Sequence, residues 1–513
     1  MKLKYFIYTI LLLTSIDVSA QRQASNWFFG DKAGLTWNTV RTVIGTPVGG
    51  TTGGSVALTE LPVVIPSQIQ TDEGCFSLST DQGLLLFYSD GERIWDRSNT
   101  IMPNGSGLQG SFSSAQSGII LPYPGQNSRY INVSINSGAP LHPPYYSVID
   151  MTLPGNGTIA NPLGDVIPAQ KNIQFTGASG TTGESVTSIL HANGTDYWIV
   201  APGRGSTVYF NAWLVSSSGP QTSSPVVTAM PGFSVVPQSS CGYIKFTADG
   251  KHFAWADDDQ YVAFGDFNAA TGQFSNLKFI DYATDASDEP YGIEFSPSMQ
   301  YLYVGGREKL FVYELDVILN WPGINAGAAP VQEFNFGVEV NGLQLAMDGR
   351  IYATAYNQSF LYIITNPNTP NDLKIYQLPS NFLGTGVSKI GLPSFAASWF
   401  RYEPEVAAFS CAGHPASISI QIDDITGVTA TLDWDFGDGN TVIGQPVTSG
   451  ITDYKQMHTY ANGGAYTVVI TPRRADGVAL ETITVVADIV ECSVKTNRMI
   501  RTNLLNSDTK SLR

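Results

Sequence analysis

Three carboxylates, Asp433, Asp435 and Asp438, lie within one short stretch, and His458 follows twenty residues after the last of them. Oxygen donors this close together could hold a calcium ion. The same side chains could instead cap the turn that Gly437 and Gly439 create, since Asp accepts backbone N–H groups two residues further on. The turn-cap reading is adopted; calcium is the only cofactor weighed, and no metal site is assigned. Two further acidic groups, Asp257-Asp258-Asp259 and Asp281, Asp285, Asp288 with Glu289, lack calcium-loop spacing and read as solvated loops. A glycosidase would need two carboxylates roughly 5–9.5 Å apart. Glu184, Asp258 and Glu289 are the candidates, each near an expected inner strand or its connecting loop. Nothing else supports catalysis. The sequence holds no Gly-x-Ser-x-Gly and no His-Glu-x-x-His. His142, His191, His252, His414 and His458 form no pair four residues apart, and Arg93, Arg204, Arg307 and Arg350 are scattered. No catalytic residue is assigned. Tyr145, Tyr146 and Trp213 could stack on sugar rings, although burial in a core is the commoner fate of such residues.

Composition bounds the class. The chain has 513 residues and a formal net charge of −16, which argues against nucleic acid and anionic lipid as partners. Only 14% of residues are charged, and there are 51 Gly, 29 Pro, 24 Tyr and 25 Phe. That balance favours short strands joined by tight turns. Residues 1–20 read as a cleavable signal peptide: Lys2 and Lys4, an apolar run from Tyr5 to Leu13, then Val18-Ser19-Ala20 before Gln21. The run is too short to span a membrane, so a secreted or cell-surface location is expected, with no transmembrane segment in the mature chain. Export permits disulfides. Cys411 and Cys492 bracket the C-terminal region and are expected to pair, whereas Cys75 and Cys241 read as buried thiols, with pairing of the two as the alternative.

The elements that would position these residues repeat. A glycine or other small residue opens an apolar strand, a polar turn follows, and a second aromatic or β-branched strand returns. Copies begin at Gly74, Gly118, Ser185, Gly242, Gly292 and Gly342, several with Asp-Gly or Asn-Gly turns that suit hairpins. Spacing near 50 residues is that of β-propeller blades. A seventh copy is split between Gly391-Leu392-Pro393-Ser394-Phe395 with Ser398-Trp399-Phe400 and Asn26-Trp27-Phe28-Phe29-Gly30 with Leu35-Thr36-Trp37. Pairing the two ends would close the ring and remove an open edge. Seven blades over residues 21–402 are expected, with six or eight as alternatives to that number and a large β-sandwich as the alternative fold.

Within residues 403–492, Trp434-Asp435-Phe436-Gly437-Asp438-Gly439 is followed by His458-Thr459-Tyr460 and Gly464-Ala465-Tyr466. This set resembles the signature of the PKD (polycystic kidney disease-type) domain, an immunoglobulin-like β-sandwich. The whole mature chain resembles secreted propeller–PKD proteins of Bacteroidetes-type bacteria, many of them exported by type IX secretion; the absence of a further sorting domain departs from that pattern. Residues 493–513 read as a disordered tail. The expected whole is an all-β chain, a β-propeller followed by a PKD sandwich. It would act as an exported non-catalytic interaction protein that binds an extracellular protein or polysaccharide through the propeller face. By resemblance, the PKD domain would be a spacer or contact module. A glycan-cleaving propeller enzyme and a structural cell-surface component are the alternatives.

Overall fold

In a computed structural model, the described residues run from 22 to 490, apart from 49–50, 138–142, 231–240, 258–260, 283–288, 337–338, 401–409, 414, 422–428 and 449–452. The segments read from the sequence as a signal peptide (1–20) and as a tail (493–513) therefore lie outside them. Most strand pairs are antiparallel and follow a meander, as the alternating patterns and Gly turns require. Blade 1 runs Cys75–Ser79, Leu85–Ser89, Arg93–Asp96, Ile101–Ser106. Blade 2 is built on Gly118–Pro122, Arg129–Ser134 and Tyr145–Asp150, and blade 3 on Thr187–Leu190, Tyr197–Arg204 and Val208–Ser216. Blade 4 (Ile244–Phe246 to Gln273–Asp281) and blade 5 (Pro290–Phe295 to Gln332–Asn335) are regular four-stranded sheets. Blade 6 runs Leu343–Leu345, Ile351–Ala353, Tyr362–Ile364, Ile375–Gln377.

The innermost strands form a ring. A Cβ on Gly292 would lie 1.9 Å from the Asn341 carbonyl, one on Gly342 would lie 2.7 Å from that of Ile390, and one on Gly391 would lie 2.0 Å from that of Glu73. Neighbouring backbones thus approach closely where the repeat places its glycine, and the last contact returns to blade 1. Aromatic side chains fill the wedges between blades. Phe210, Phe246, Phe253, Trp255 and Phe274 do so between blades 3 and 4, each contributing about 1.5–3 kcal/mol through burial.

The seventh unit differs from the sequence expectation in its pairing. Asn26–Phe29, the start of Ala33–Pro47 and the end of Val56–Val64 form its sheet. The C-terminal strand Pro393–Ser394 pairs in parallel with Cys75–Phe76 of blade 1 rather than with Asn26–Phe29. The ends are instead tied by Asp31 and Val387, each donating its N–H to the other's carbonyl, at 2.9 Å in both cases. The far end of Ala33–Pro47 adds to the edge of blade 6 through Thr46 and Pro47, so the N-terminal segment laces two blades together. Ser398-Trp399-Phe400 is not a strand but part of a 3-10 turn, Ala397–Phe400. Burial is the physical reason. The turn folds Trp399 and Phe400 inward against Phe395, which itself packs on Trp27.

The C-terminal domain is a sandwich. One sheet orders Ser410–Cys411, Ile483–Val490, Gly464–Arg473, Thr431–Asp435 and Thr441–Pro446; the other pairs Pro415–Gln421 with Asp453–Thr459. Leu432, Trp434, Val468, Ile470, Ile483 and Val485 are buried between them. Among the described residues, no helix is long and apolar enough to cross a membrane.

Candidate functional site

Among the described residues, side chains fill the propeller axis rather than leaving a channel. Side chains cross it and bond to the opposite blades. Gln116 of blade 2 donates to the Ile244 carbonyl of blade 4 at 3.3 Å and accepts from the Ile244 N–H at 2.9 Å. Tyr243 of blade 4 accepts from the Leu392 N–H at 2.9 Å, and Tyr291 of blade 5 donates to Glu73 at 2.7 Å. Lys245 of blade 4 donates to Glu294 at 2.6 Å, to the Gln344 side-chain carbonyl at 2.7 Å and to the Leu343 backbone carbonyl at 2.9 Å. Burial drives the Tyr243 and Tyr291 hydroxyls upward in pKa and the Lys245 ammonium downward, with Glu294 opposing the latter shift. The cavity left beside Lys245, between Thr187, Phe395, Phe400 and Glu481, is about 30 Å³, room for about two waters.

One half of the face made by the first-to-second-strand turns is covered by the PKD domain. The hairpin turn following Gly464–Arg473 reaches the Asp348-Gly349 turn of blade 6. Arg350, fully buried, donates to the Thr59 carbonyl at 2.9 Å and to Asp476 at 3.0 Å. Asp348 accepts from Trp37 Nε1 at 3.1 Å and from the Tyr352 hydroxyl at 2.7 Å. Arg474, also buried, pairs with Asp476. Asn368 donates to the Ala479 carbonyl at 2.9 Å. Leu480 packs over Gly349, where a Cβ would sit 1.9 Å from Leu480 Cδ2. Burial pushes Glu60, beside this group, up to about 7 against the opposing pull of Arg350. The PKD domain is therefore seated on the propeller by charge pairs and an apolar plug.

The other half, over blades 1 to 3, is left uncovered by the described residues. There a groove of about 570 Å³ is lined by Tyr123, Tyr130, Tyr197, Asp81, Gln126 and Asn127, among others. That volume falls within the usual range of small-ligand sites, about 300–1,000 Å³. The turns hold the tyrosines at the rim of their strands. The Tyr123 N–H bonds the Arg129 carbonyl at 2.9 Å, closing the blade 2 turn, and Arg129 is fixed by Asp150 at 2.9 Å. Tyr130 stands edge-on to Phe87 with ring centres 5.8 Å apart. Burial pushes the Tyr197 phenol up to about 12, a hydrogen bond with Trp399 opposing it. Burial also raises Tyr130, helped by Asp81. Both phenols thus stay neutral and can donate hydrogen bonds at physiological pH.

Most residues singled out from the sequence lie elsewhere. The PKD signature is structural. Trp434 is buried and donates to Gln445 at 2.7 Å. Phe436 stacks on His458 at 4.2 Å, Tyr460 donates to the Phe436 carbonyl at 3.1 Å, and Tyr466 stacks on Tyr460 at 4.2 Å. Asp435 accepts from the Gly437 N–H at 2.9 Å, and Asp438 accepts from the Asn440 N–H at 3.1 Å and contacts His458 at 2.8 Å. Gly437 has φ +75° and Gly439 φ +91°, as the sharp exit turn demands. Asp433 is engaged by Arg473 at 2.5 Å and the Gly444 N–H at 2.8 Å. The three carboxylates weighed for calcium thus take separate partners, and no metal-ligand cluster occurs among the described residues.

Of the acids considered for catalysis, Glu184 accepts from the Ala115 N–H at 3.2 Å, Glu289 pairs with Arg307 at 2.6 Å, and Asp258 lies outside the described residues. Cys75 is a buried thiol, pushed up by burial. Cys411 lies opposite Val490 in strand register, and Cys492 is outside the described residues. Trp213, considered for sugar stacking, is fully buried and donates to the Thr176 carbonyl at 3.0 Å. Sequence reasoning missed the groove because Tyr123, Tyr130 and Tyr197 come from two different blades and look like ordinary strand aromatics. The one available signal was that each sits next to a first-to-second-strand turn.

Comparison with known proteins agrees with the C-terminal assignment. No curated protein matches the chain. Among solved structures, a Bacteroides uniformis protein proposed to be a 6-phosphogluconolactonase is 14% identical over 66% of this chain and 94% of its own, at a TM-score of 0.39. Kluyveromyces lactis Hsv2 is 11% identical over 70% and 95%, at 0.36. Apo AztD from Citrobacter koseri is 10% identical over 72% and 88%, at 0.35. The propeller assignment rests on the strand pairing and ring contacts given above. Residues 404–489 match the PKD domain family, and this part of the chain is a PKD domain.

Proposed function

We propose that this protein is an exported, non-catalytic binding protein whose ligand is a neutral polysaccharide, held in the open groove over blades 1 to 3. The observation that carries this reading is the convergence of Tyr123, Tyr130 and Tyr197 with Asp81, Gln126 and Asn127 in one accessible groove. Aromatic faces suit the C–H faces of sugar rings, and carboxamides and a carboxylate suit their hydroxyls. A net charge of −16 disfavours an anionic polymer. The filled axis supports placing recognition here rather than in a central channel, and the engaged states of Glu184 and Glu289 support binding without cleavage. The signal-like segment 1–20 supports export. In this reading the PKD domain is a seated cap on the propeller, not a free spacer. A glycan array probed with the mature chain and with Tyr123→Ala tests the proposal. Retention of neutral glycans by the native chain and their loss in the variant is the expected outcome. No retention by the native chain would overturn it.

A further inference from the structure

The axial cluster around Lys245 has more chemistry in it than an ion pair requires. Among the described residues, Lys245 is the one lysine that is buried, at 8% exposed, and it meets Glu294 at 5% and Gln344 at 2%. Its amine lies 2.7 Å from the Gln344 amide oxygen and 2.6 Å from the Glu294 carboxylate. The Gln344 amide is held in place by donation from its Nε2 to the Leu345 carbonyl at 2.8 Å. Glu294 is fixed by the N–H groups of Phe295 at 2.9 Å and Leu345 at 2.7 Å. A nucleophile, a carbonyl electrophile and a carboxylate able to carry a proton are therefore immobilised together, with almost no water. Such fixed proximity converts a slow bimolecular step into an intramolecular one. Burial also favours the neutral, nucleophilic form of the amine.

We propose that Lys245 and Gln344 are joined by an intramolecular isopeptide bond, formed after folding with Glu294 as proton carrier. Glu294 takes a proton from Lys245 Nζ, the freed amine attacks Gln344 Cδ, and a Nζ–Cδ bond forms. Glu294 returns that proton to Nε2 as the Cδ–Nε2 bond breaks, and then takes the second proton that Nζ sheds on becoming an amide N–H and passes it to the departing ammonia. The products are a secondary amide and one ammonium ion, which carries away the proton that first charged Lys245; no oxidant or other reactant is consumed. The link would clamp blade 4 to blade 6 across the first strand of blade 5 and constrain the unfolded chain as a disulfide does.

Peptide mapping decides the matter on the full chain. An acylated lysine resists trypsin, so the expected product is a branched peptide joining residues 205–251 to residues 310–350, lighter than the sum of its parts by one ammonia (about 17 Da). A digest made up of unlinked 310–350 and a peptide ending at Lys245 would overturn the proposal, leaving a hydrogen-bonded ion pair only. In Glu294→Gln, whether folded or not, the branched peptide is expected to vanish; its persistence would overturn the part assigned to Glu294.

Discussion

The two halves of the propeller's turn face use the same kind of element for opposite ends. Over blade 6 the Asp348-Gly349 turn is occupied: Arg350 and Asp476 pair across the domain junction, and Leu480 fills the hollow above the glycine. Over blades 1 to 3 the equivalent turns leave Tyr123, Tyr130 and Tyr197 around a groove that no described residue fills. On the proposed reading, the PKD domain covers one half and leaves recognition to the other. The occupied half is held by buried charge pairs, whereas tyrosines and carboxamides join Asp81 and Arg129 in lining the other.

The contrast can be broken most forcefully at Arg350. Arg350→Ala leaves the buried Asp348 without the guanidinium that lies 3.6 Å away, and removing one partner of a buried charge pair costs about 3–5 kcal/mol. Urea denaturation should show that loss, together with release of the PKD domain as a separate transition. Gly349→Ala comes next, because it places a Cβ against Leu480 at φ +70°. A destabilisation of about 1–3 kcal/mol is expected. In a Leu480→Ala background the steric part should disappear, which a double-mutant cycle would resolve. On the open half, Tyr123→Ala should change stability by less than about 1 kcal/mol while removing most of the ligand affinity, as truncation of an aromatic anchor does. Differential scanning calorimetry beside binding measurements separates the two effects.

Titration gives the smaller tests. The folded-state pKa of Glu60 is raised, so its protonated form stabilises the native chain below its ordinary value of 4.5, and that contribution is lost as pH rises through about 7. Melting temperature should accordingly fall over that window, and Glu60→Gln should flatten the slope. For Asp438 the sign reverses. Slight burial opposes ionisation, but bonds from His458 and Asn440 prevail and hold the carboxyl below its ordinary 3.8. Its contribution is present at neutral pH and is lost only as pH falls through that lowered value, so Asp438→Asn should lower stability near neutrality by a small amount and have no effect in strong acid.

The same contrast explains what the sequence disclosed. The PKD turn was legible because its partners are local: Asp435 caps Gly437 two residues on, and Asp438 reaches His458 within one domain. The blade repeat was legible for a similar reason, since each glycine marks a close backbone approach. The axial network was not, because Gln116 finds Ile244 at a separation of 128 residues and Tyr291 finds Glu73 at 218. Nothing in the spacing of those residues signals that a ring will bring them together. The parallel seam of Pro393–Ser394 against blade 1 was equally hidden, as either end of the chain could have closed the ring.

The most direct measurement is calorimetric titration of a neutral oligosaccharide, chosen from the array, into the native chain and into Tyr123→Ala. The account predicts saturable binding to the native chain and a loss of affinity of about tenfold or more in the variant, about 1.4 kcal/mol, at an unchanged melting temperature. Undiminished affinity in Tyr123→Ala would contradict it.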